Sequence, residues 1–157
     1  MSIEKVREFF KPYGLEAAIM EFDVSSATVE LAAVALGCAP ERIAKTLSFA
    51  LGDRVILIVT AGDVKIDNAK YKAQFGAKAR MLLPQEVALK TGHAAGGVCP
   101  FAVPDGVAVY LDVSLKRFAT VFPACGSSNS AIEMSPANLE KYARPAGWVD
   151  VCKNRQA

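Results

Sequence analysis

Helical and strand-like spacings of hydrophobic residues alternate along the whole chain. The first group at helical spacing is Ile3, Val6, Phe9 and Phe10. Gly14 is placed to end that helix. Cap residues and helix-ending glycines mark four more helices. The sequence predicts them at residues 28–37 (with Ser25, Ser26 or Thr28 as the cap), at 67–76, at 84–92, and from Ser135-Pro136 onward.

Strand-like segments outnumber the helices. Residues 43–51 have the pattern of a strand, and residues 55–60 are apolar at both parities, as in a strand covered on both faces. Leu51-Gly52-Asp53-Arg54 between them suits a hairpin turn. The other predicted strands are 17–22, 107–112, 120–122, 131–134 and 149–151. We therefore predict an α+β fold with a mixed, partly closed, barrel-like sheet and helices packed outside it.

The composition favours one folded domain over residues 1–157, because 52% of the residues are hydrophobic and only 22% are charged. No apolar region follows a basic start, as it would in a secretory signal. The apolar run at residues 55–59, like every other apolar run in the chain, is far shorter than the roughly 20 residues of a membrane span. We expect a soluble, cytoplasmic protein that does not associate with membranes.

The distribution of cysteine and histidine argues against a metal centre. No Cys-x-x-Cys pair occurs among Cys38, Cys99, Cys125 and Cys152, and His93 is the sole histidine. Metal sites need clustered ligands. We expect small buried thiols in a reducing compartment, with no metal and no cofactor.

Charge is unevenly distributed, although the formal net charge is only +2. Residues 65–80 hold five basic side chains against a single acidic one, Asp67. Such a segment is either a basic face that meets phosphates or an ordinary solvated helix face, and the sequence leaves both open.

Lys45 has an unusual place in the predicted strand 43–51. Side chains alternate between the two faces of a strand, and Lys45 falls on the face with the large apolar residues. Those residues are Ile43, Leu47, Phe49 and Leu51. Either the strand begins after Lys45 and its side chain reaches the rim, or the lysine projects into a cavity and meets an anionic or carbonyl-bearing ligand.

Residues 91–101, Thr-Gly-His-Ala-Ala-Gly-Gly-Val-Cys-Pro-Phe, form a glycine-proline loop. Three glycines and one proline exclude the interior of a regular helix or strand. Such a loop can present backbone N–H groups to a carbonyl oxygen or position a water molecule, or it can be a simple irregular connection. Its spacing matches neither a P-loop nor a dinucleotide-binding motif.

A third glycine-containing segment, residues 124–130, follows a predicted strand, and its hydroxyls can bind a ligand or satisfy a turn. Three blocks together resemble, in order and spacing, the signature blocks of the YbaK/prolyl-tRNA-synthetase-associated editing-domain family. They are Ile43-Ala44-Lys45-Thr46-Leu47, then Gly92-His93 to Gly96-Gly97-Val98-Cys99-Pro100-Phe101, and then Gly126-Ser127. The resemblance covers almost the whole chain.

This resemblance implies a mixed, barrel-like α+β fold that hydrolyses the ester between an amino acid and the 3′ end of its tRNA. Lys45 would help to bind the charged 3′ end. The Gly96-x-x-x-Pro100 loop, with Gly97 inside it, would hold the substrate carbonyl and the attacking water through its backbone. The substrate-binding residues implied are Thr46, His93, Val98, Cys99, Gly126 and Ser127. The implied partners are the tRNA 3′ end and, in addition, an aminoacyl-tRNA synthetase.

Three departures from the family pattern bear on which amino acid is removed. Thr46 follows Lys45, as in the YbaK-like branch that acts on Cys-tRNA, whereas an asparagine follows in the alanine-clearing branch. His93 stands where many relatives have an aromatic residue, and Ala102 stands where relatives often have glycine. Cysteine, alanine, serine and threonine esters remain open as substrates.

Two other functions compete with the deacylase. One is a binding module that holds tRNA or a synthetase without hydrolysis, and the other is a Schiff-base enzyme that uses Lys45 as a covalent amine. His93 is either a general base or a hydrogen-bonding residue of the loop. Cys99 and Cys125 have no base next to them in sequence and are expected to be neutral fillers.

Overall fold

A computed structural model of the chain describes residues 2–154. Its helices are α1 (Ser2–Phe10), α2 (Val29–Leu36), α3 (Asn68–Phe75), α4 (Pro84–Thr91) and α5 (Pro136–Ala143). Thr28, Asp67 and Ser135 cap α2, α3 and α5, each accepting a hydrogen bond from the backbone N–H three residues on. The five predicted helices are confirmed.

The strands assemble into a five-stranded sheet and two short antiparallel pairs. They are β1 (Met20–Glu21), β2 (Ile43–Leu51), β3 (Arg54–Ala61), β4 (Val64–Ile66), β5 (Ala108–Asp112), β6 (Phe122–Pro123), β7 (Ser130–Ala131), β8 (Gly147–Val149) and β9 (Cys152–Asn154). The sheet order is β6-β2-β3-β5-β8, and β1 pairs with β7 and β4 with β9. Only β2 and β3 are antiparallel within the curled sheet, so the predicted mixed, partly closed α+β fold is confirmed.

Several predicted strands have different bounds in the structure. The strand predicted at 17–22 is wrong over its first half, because Glu16–Ala18 forms a 3₁₀ turn and only Met20–Glu21 pairs. Alanine favours helical geometry over strand geometry, which fits this outcome. The segment predicted at 149–151 ends one strand and precedes another. The N–H of Val151 donates to the Asp112 carboxylate instead of to a strand, at 2.9 Å.

The two faces of β2 are both covered. Phe49, on the face with the large apolar residues, is 1% exposed, while Ala44 and Ser48 on the opposite face are 2% and 6% exposed. Both faces of this strand are therefore buried in part, because the curled sheet covers the face with the small residues as well as the face with the large apolar ones. Lys45 and Leu47 are only half-buried, since their part of the first face borders a cleft.

Two aromatic clusters fasten helices to the sheet and to the glycine-proline loop. Phe10 of α1 packs edge-to-face on Phe101 at the end of that loop, with 4.8 Å between ring centroids, and on Tyr142 of α5 at 5.6 Å. On the other side, Tyr71 of α3 lies 5.2 Å from Phe49 of β2.

Within residues 2–154, none of the helices has the length and apolar character needed to cross a membrane.

Candidate functional site

A cleft of about 300 Å³ opens between α2, the middle of β2 and the glycine-proline loop. Its floor and walls come from four separate parts of the chain. The lining residues are Ser26, Ala27, Thr28, Val29 and Ala32, then Ile43 to Leu47, then Gly96 and Val98, then Phe122, Ala124, Ser130 and Ala131. The lining is mainly apolar, with hydroxyl groups and one ammonium group among it.

Lys45 supplies that ammonium group. The strand begins at Ile43, so Lys45 lies inside β2 and not before it, and its side chain lines the cleft. Its Nζ donates a hydrogen bond to the backbone carbonyl oxygen of Val64, at the start of β4. That bond fixes the position of a positive charge beside a mainly apolar cleft, where it interacts more strongly with an anion than it would in bulk water.

Thr46 lies beside Lys45 on the cleft wall. Its hydroxyl oxygen is buried, and among the described residues it has no hydrogen-bond partner. A buried hydroxyl without a hydrogen-bond partner has lost its contact with water and gained nothing in return, which lowers the stability of the folded protein.

The cleft lies at a gap in the pairing of one edge of β2. Strand β6 pairs only with Ile43 and Ala44, and an isolated bridge joins Phe49 to Met81 further along. Residues 45–47 lie between these two pairings on that edge. This gap is what lets the loop and α2 approach the strand and form the cleft.

The glycine-proline loop reaches the cleft through Gly96 and Val98. Gly96 has a φ of +88°, and a Cβ there would lie 3.1 Å from the Cβ of Ala27. Gly97 is buried behind it, and a Cβ on Gly97 would lie 2.6 Å from the backbone nitrogen of Ser127. The N–H of Gly97 donates to the carbonyl oxygen of Ala94 at 2.9 Å, which keeps the loop tightly turned.

His93 is fully buried and does not line the cleft. Its Nε2 lies 2.7 Å from the carbonyl oxygen of Phe101, so Nε2 carries the proton and donates it. Thr91 fixes the other end, accepting a hydrogen bond from the His93 N–H at 3.2 Å. Burial, partly offset by the bond to Phe101, lowers the pKa of His93, so the ring stays neutral and closes the loop as a structural tie.

Cys99 and Pro100 also lie away from the cleft. Cys99 is completely buried, and burial raises the pKa of its thiol to about 12. Cys125 is buried as well, and its pKa is raised for the same reason. The expectation that Cys99 has no nearby base is wrong, because its Sγ lies 3.5 Å from Nε2 of His93. That nitrogen carries a proton itself and donates it to Phe101, so it does not take up the proton of the thiol. Both cysteines are therefore neutral thiols at physiological pH. Pro100 is buried and lines a separate pocket of about 510 Å³ together with Phe9.

Gly126 and Ser127 form the support behind the cleft wall. Gly126 is buried, and Ser127 Oγ lies 2.9 Å from Asn129 Oδ1 and 2.7 Å from Ser130 Oγ. Ser130 itself lines the cleft. Of the ten sequence-predicted site residues, the structure brings Lys45, Thr46, Gly96 and Val98 together at the cleft. The remaining residues stand behind them: Gly97, Gly126 and Ser127 as close backbone support, and His93, Cys99 and Pro100 deeper in the loop.

Residues 26–28 belong to the cleft, although their sequence indicated only a helix cap. The Ser26 N–H donates to the carbonyl oxygen of Ser128 at 2.6 Å, and the Phe22 N–H donates to that of Asn129 at 2.8 Å. These bonds hold the segment before α2 against the 126–130 segment. The pairing joins two distant stretches of chain, so no local signal in the sequence pointed to it.

Residues 23–142 match the model of a family described as the aminoacyl-tRNA editing domain. The chain belongs to the aminoacyl-tRNA editing domain family. This membership confirms the resemblance drawn from the three sequence blocks, and it covers both the lysine strand and the glycine-proline loop.

Relatives of this editing domain include free-standing proteins and parts of larger ones. A Bacillus subtilis (strain 168) protein, named uncharacterized protein YwhH, is 57% identical over 155 residues, 98% of this chain and 99% of that protein. A proline--tRNA ligase of Geobacillus sp. (strain WCH70) is 28% identical over 125 residues, 79% of this chain. The chain spans only 22% of that ligase.

A solved structure has the same fold along its whole length. It bears the name "putative trans-editing enzyme for prolyl tRNA synthetase" and superposes with a TM-score of 0.86 at 26% identity, covering 98% of each chain.

Among residues 2–154, no three or more His, Cys, Asp or Glu side chains are grouped in a way that could hold a metal ion.

Proposed function

We propose that this editing domain is a trans-acting aminoacyl-tRNA deacylase, which hydrolyses the ester of a small mischarged amino acid on tRNA. The observation that carries the proposal is the convergence of Lys45, Thr46, Gly96 and Val98 on one cleft. These residues come from two sequence blocks that are far apart in the chain. The third block, through Ser127, packs against the loop from behind.

An aminoacyl ester is already an activated acyl group, so the reaction needs positioning more than a strong protein nucleophile. A water oxygen forms a bond to the ester carbonyl carbon, and the carbonyl becomes an oxyanion. The oxyanion re-forms the carbonyl as the C–O bond to the ribose breaks, and the ribose oxygen takes up the proton that the attacking water loses. The products are the free amino acid and uncharged tRNA.

The loop backbone is assigned the role of holding the carbonyl oxygen and the water. Because the Gly97 N–H is already bonded to Ala94, the amides assigned to this role are those of Gly96 and Val98, which line the cleft. Lys45 is assigned to the negative charge of the tRNA 3′ end and to the developing oxyanion. Gly97 and Pro100 are assigned to shaping the loop that presents these groups.

We assign a small amino acid to the cleft on account of its volume and lining. Ala27, Val29 and Phe122 narrow it, and its volume of about 300 Å³ must hold the aminoacyl group together with part of the terminal nucleoside. An apolar pocket separates neighbouring side chains by only about 1–3 kcal/mol per methylene. Cysteine, alanine, serine and threonine therefore remain the substrate candidates.

We further assign tRNA as the partner, and a prolyl-tRNA synthetase as the source of the mischarged product. The matching segments of proline--tRNA ligases support this assignment. The chain corresponds to a part of those ligases and to nearly all of YwhH, which favours action on tRNA after its release.

The test is deacylation of tRNA charged with radiolabelled cysteine, alanine, serine or threonine, by the wild type and by Lys45→Ala. Release of one amino acid by the wild type, with loss of release in a folded Lys45→Ala variant, is the expected result. If no amino acid is released while tRNA still binds, the domain is a binding module. Borohydride treatment with substrate should leave Lys45 unmodified, which separates hydrolysis from Schiff-base chemistry.

A further inference from the structure

Two lysines face each other across the short strand pair β4–β9. The register places Lys65 directly opposite Lys153, and both side chains are exposed. Opposed residues in an antiparallel pair have their Cβ atoms about 4.5–5.5 Å apart, and like charges in that arrangement destabilise the pair. Strands β4 and β9 have only three residues each, so their pairing is weak and the repulsion between the two lysines is large in comparison.

The acidic groups around this pair are engaged elsewhere. The Asp67 carboxylate caps α3, accepting from the Lys70 N–H at 3.0 Å. Asp150 pairs with the Lys70 ammonium group at 3.1 Å. None of the ion pairs between described residues includes Lys65 or Lys153. The pKa of Asp67 is lowered chiefly by the hydrogen bond from the Lys70 amide and, to a smaller extent, by the charge of Lys153. Asp67 and Lys153 therefore attract each other without forming an ion pair.

The strand pair that carries these lysines is linked to Lys45 of the cleft strand β2 by one hydrogen bond. The residue before Lys65 is Val64, whose carbonyl oxygen accepts the hydrogen bond from the Lys45 ammonium group. Val64 and Cys152 are buried on the inner side of β4–β9, whereas Lys65 and Lys153 are on its outer side. The ammonium group of Lys45, a residue of β2, is therefore hydrogen-bonded to the short strand pair that carries the two surface cations.

We propose that Lys65 and Lys153 bind phosphodiester groups of the tRNA whose aminoacyl end occupies the cleft. The inference rests on the proposed function and adds the surface that receives the nucleic acid. A polyanion would neutralise the repulsion that the strand pair carries when free, and it would release counterions on binding. Within the basic stretch 65–80, Lys70 contributes less, because its charge is already paired with Asp150.

The test compares the double variant Lys65→Gln/Lys153→Gln with the wild type on two substrates. One is tRNA charged with the amino acid that the wild type releases, and the other is the same amino acid esterified to adenosine, which has no phosphate. The control Lys11→Gln/Lys141→Gln removes two other exposed lysines, Lys11 from the turn after α1 and Lys141 from α5. It changes the net charge by the same amount.

For the Lys65/Lys153 variant we expect a higher KM for aminoacyl-tRNA, an unchanged kcat and unchanged hydrolysis of the aminoacyl-adenosine. Affinity for an uncharged tRNA transcript should fall, and its log–log dependence on salt should flatten by about two, one for each lysine. The midpoint of thermal unfolding should rise, because the like-charge repulsion is removed. The control should match the wild type in every measurement.

Unchanged tRNA affinity with an unchanged salt dependence would overturn the inference. Equal losses in both double variants would also overturn it, since net charge alone would then explain the binding. If the wild type hydrolyses neither substrate, the proposed deacylase activity fails, while the binding measurement with uncharged tRNA still decides the role of the lysine pair.

Discussion

The backbone of Gly97 lies directly against the backbone of Ser127. A Cβ on Gly97 would be within 2.7 Å of the nitrogen, Cα and carbonyl carbon of Ser127. These distances are shorter than the contacts that real Cβ atoms make. The overlap is with backbone atoms, which cannot relieve it by changing rotamer as a side chain can. The two loops behind the cleft are therefore joined at a place where only glycine fits.

Gly97→Ala should separate these loops. We expect the free energy of unfolding to fall by about 1–3 kcal/mol, as for overpacked interiors, and deacylation to fall with it. Urea denaturation and an aminoacyl-tRNA hydrolysis assay would measure the two effects. Gly147→Ala is the matched control, because no heavy atom lies within 4 Å of a Cβ at that position. Equal stability of Gly97→Ala and wild type would contradict this packing.

Thr46→Val should stabilise the free protein and weaken its activity. The Thr46 hydroxyl is buried and has no partner among the described residues, so replacing it with a methyl group removes a desolvation cost of about 1–3 kcal/mol. If the hydroxyl recognises the substrate, KM rises. Steady-state deacylation and denaturant unfolding would test both parts.

The control for Thr46→Val is Thr60→Val on the neighbouring strand. Thr60 is fully buried, and its hydroxyl donates to the carbonyl oxygen of Ala61 at 3.2 Å. Losing that bond should lower stability, which is the opposite sign to Thr46→Val. A Thr46→Val variant less stable than the wild type would show that its hydroxyl is satisfied in the free protein.

His93 should make stability depend on pH between 7 and 5. Its pKa is lowered in the folded state, chiefly by burial, from an ordinary value of 6.5. As the pH falls below about 6.5, the unfolded chain takes up a proton that the folded chain excludes, so the free energy of unfolding decreases by at most about 1.4 kcal/mol per pH unit. The effect is absent above that range.

His93→Gln provides the comparison, because its amide nitrogen can still donate to the Phe101 carbonyl oxygen. As His93 is the sole histidine, the variant should lose the dependence between pH 7 and 5 and keep the acid unfolding due to carboxylates. Chemical denaturation across this range is the measurement. Parallel pH profiles for variant and wild type would show that His93 is solvated or paired in its charged form.

Alkylation with iodoacetamide should distinguish Cys38 from the other three thiols. The pKa values of all four thiols are raised by burial, an effect that Arg42 partly offsets at Cys38. Cys38 is only half-buried, whereas Cys99, Cys125 and Cys152 are buried, so access of the reagent separates them. The native protein should take up label at Cys38 alone, and all four cysteines should react in denaturant. Labelled native protein should keep its deacylase activity, because no thiol acts as a nucleophile. Rapid labelling of Cys99 would contradict the buried loop.

Much of the fold was predictable because its signals are local. The bounds of β2 follow from the alternation of residues 43–51, and α2 follows from Thr28 and Gly37 at its ends. Strands β4 and β9 were not predicted, since three residues carry too little periodicity to stand out. Their pairing places Lys65 opposite Lys153 and joins residues 64–66 to residues 152–154. Neither segment contains a local sequence signal that indicates this pairing.

The candidate site was predicted in outline, and the structure separates its members by depth. Lys45 and Gly96 reach the cleft because a strand edge and a glycine with positive φ bring them there. His93 lies behind the loop, because its ring satisfies the Phe101 carbonyl oxygen. A motif specifies which residues are near each other in the chain, but packing decides which of them face the ligand.

The contact between Phe10 and Phe101 has a consequence for where this domain can be cut. The family match begins at residue 23, so α1 lies outside it, yet Phe10 packs on the aromatic ring of Phe101 at the end of the glycine-proline loop. A fragment trimmed to the matched segment would leave Phe101 and Tyr142 uncovered. The bounds of the family match and those of the cooperative folding unit are therefore different, and an isolated editing fragment must keep its first helix.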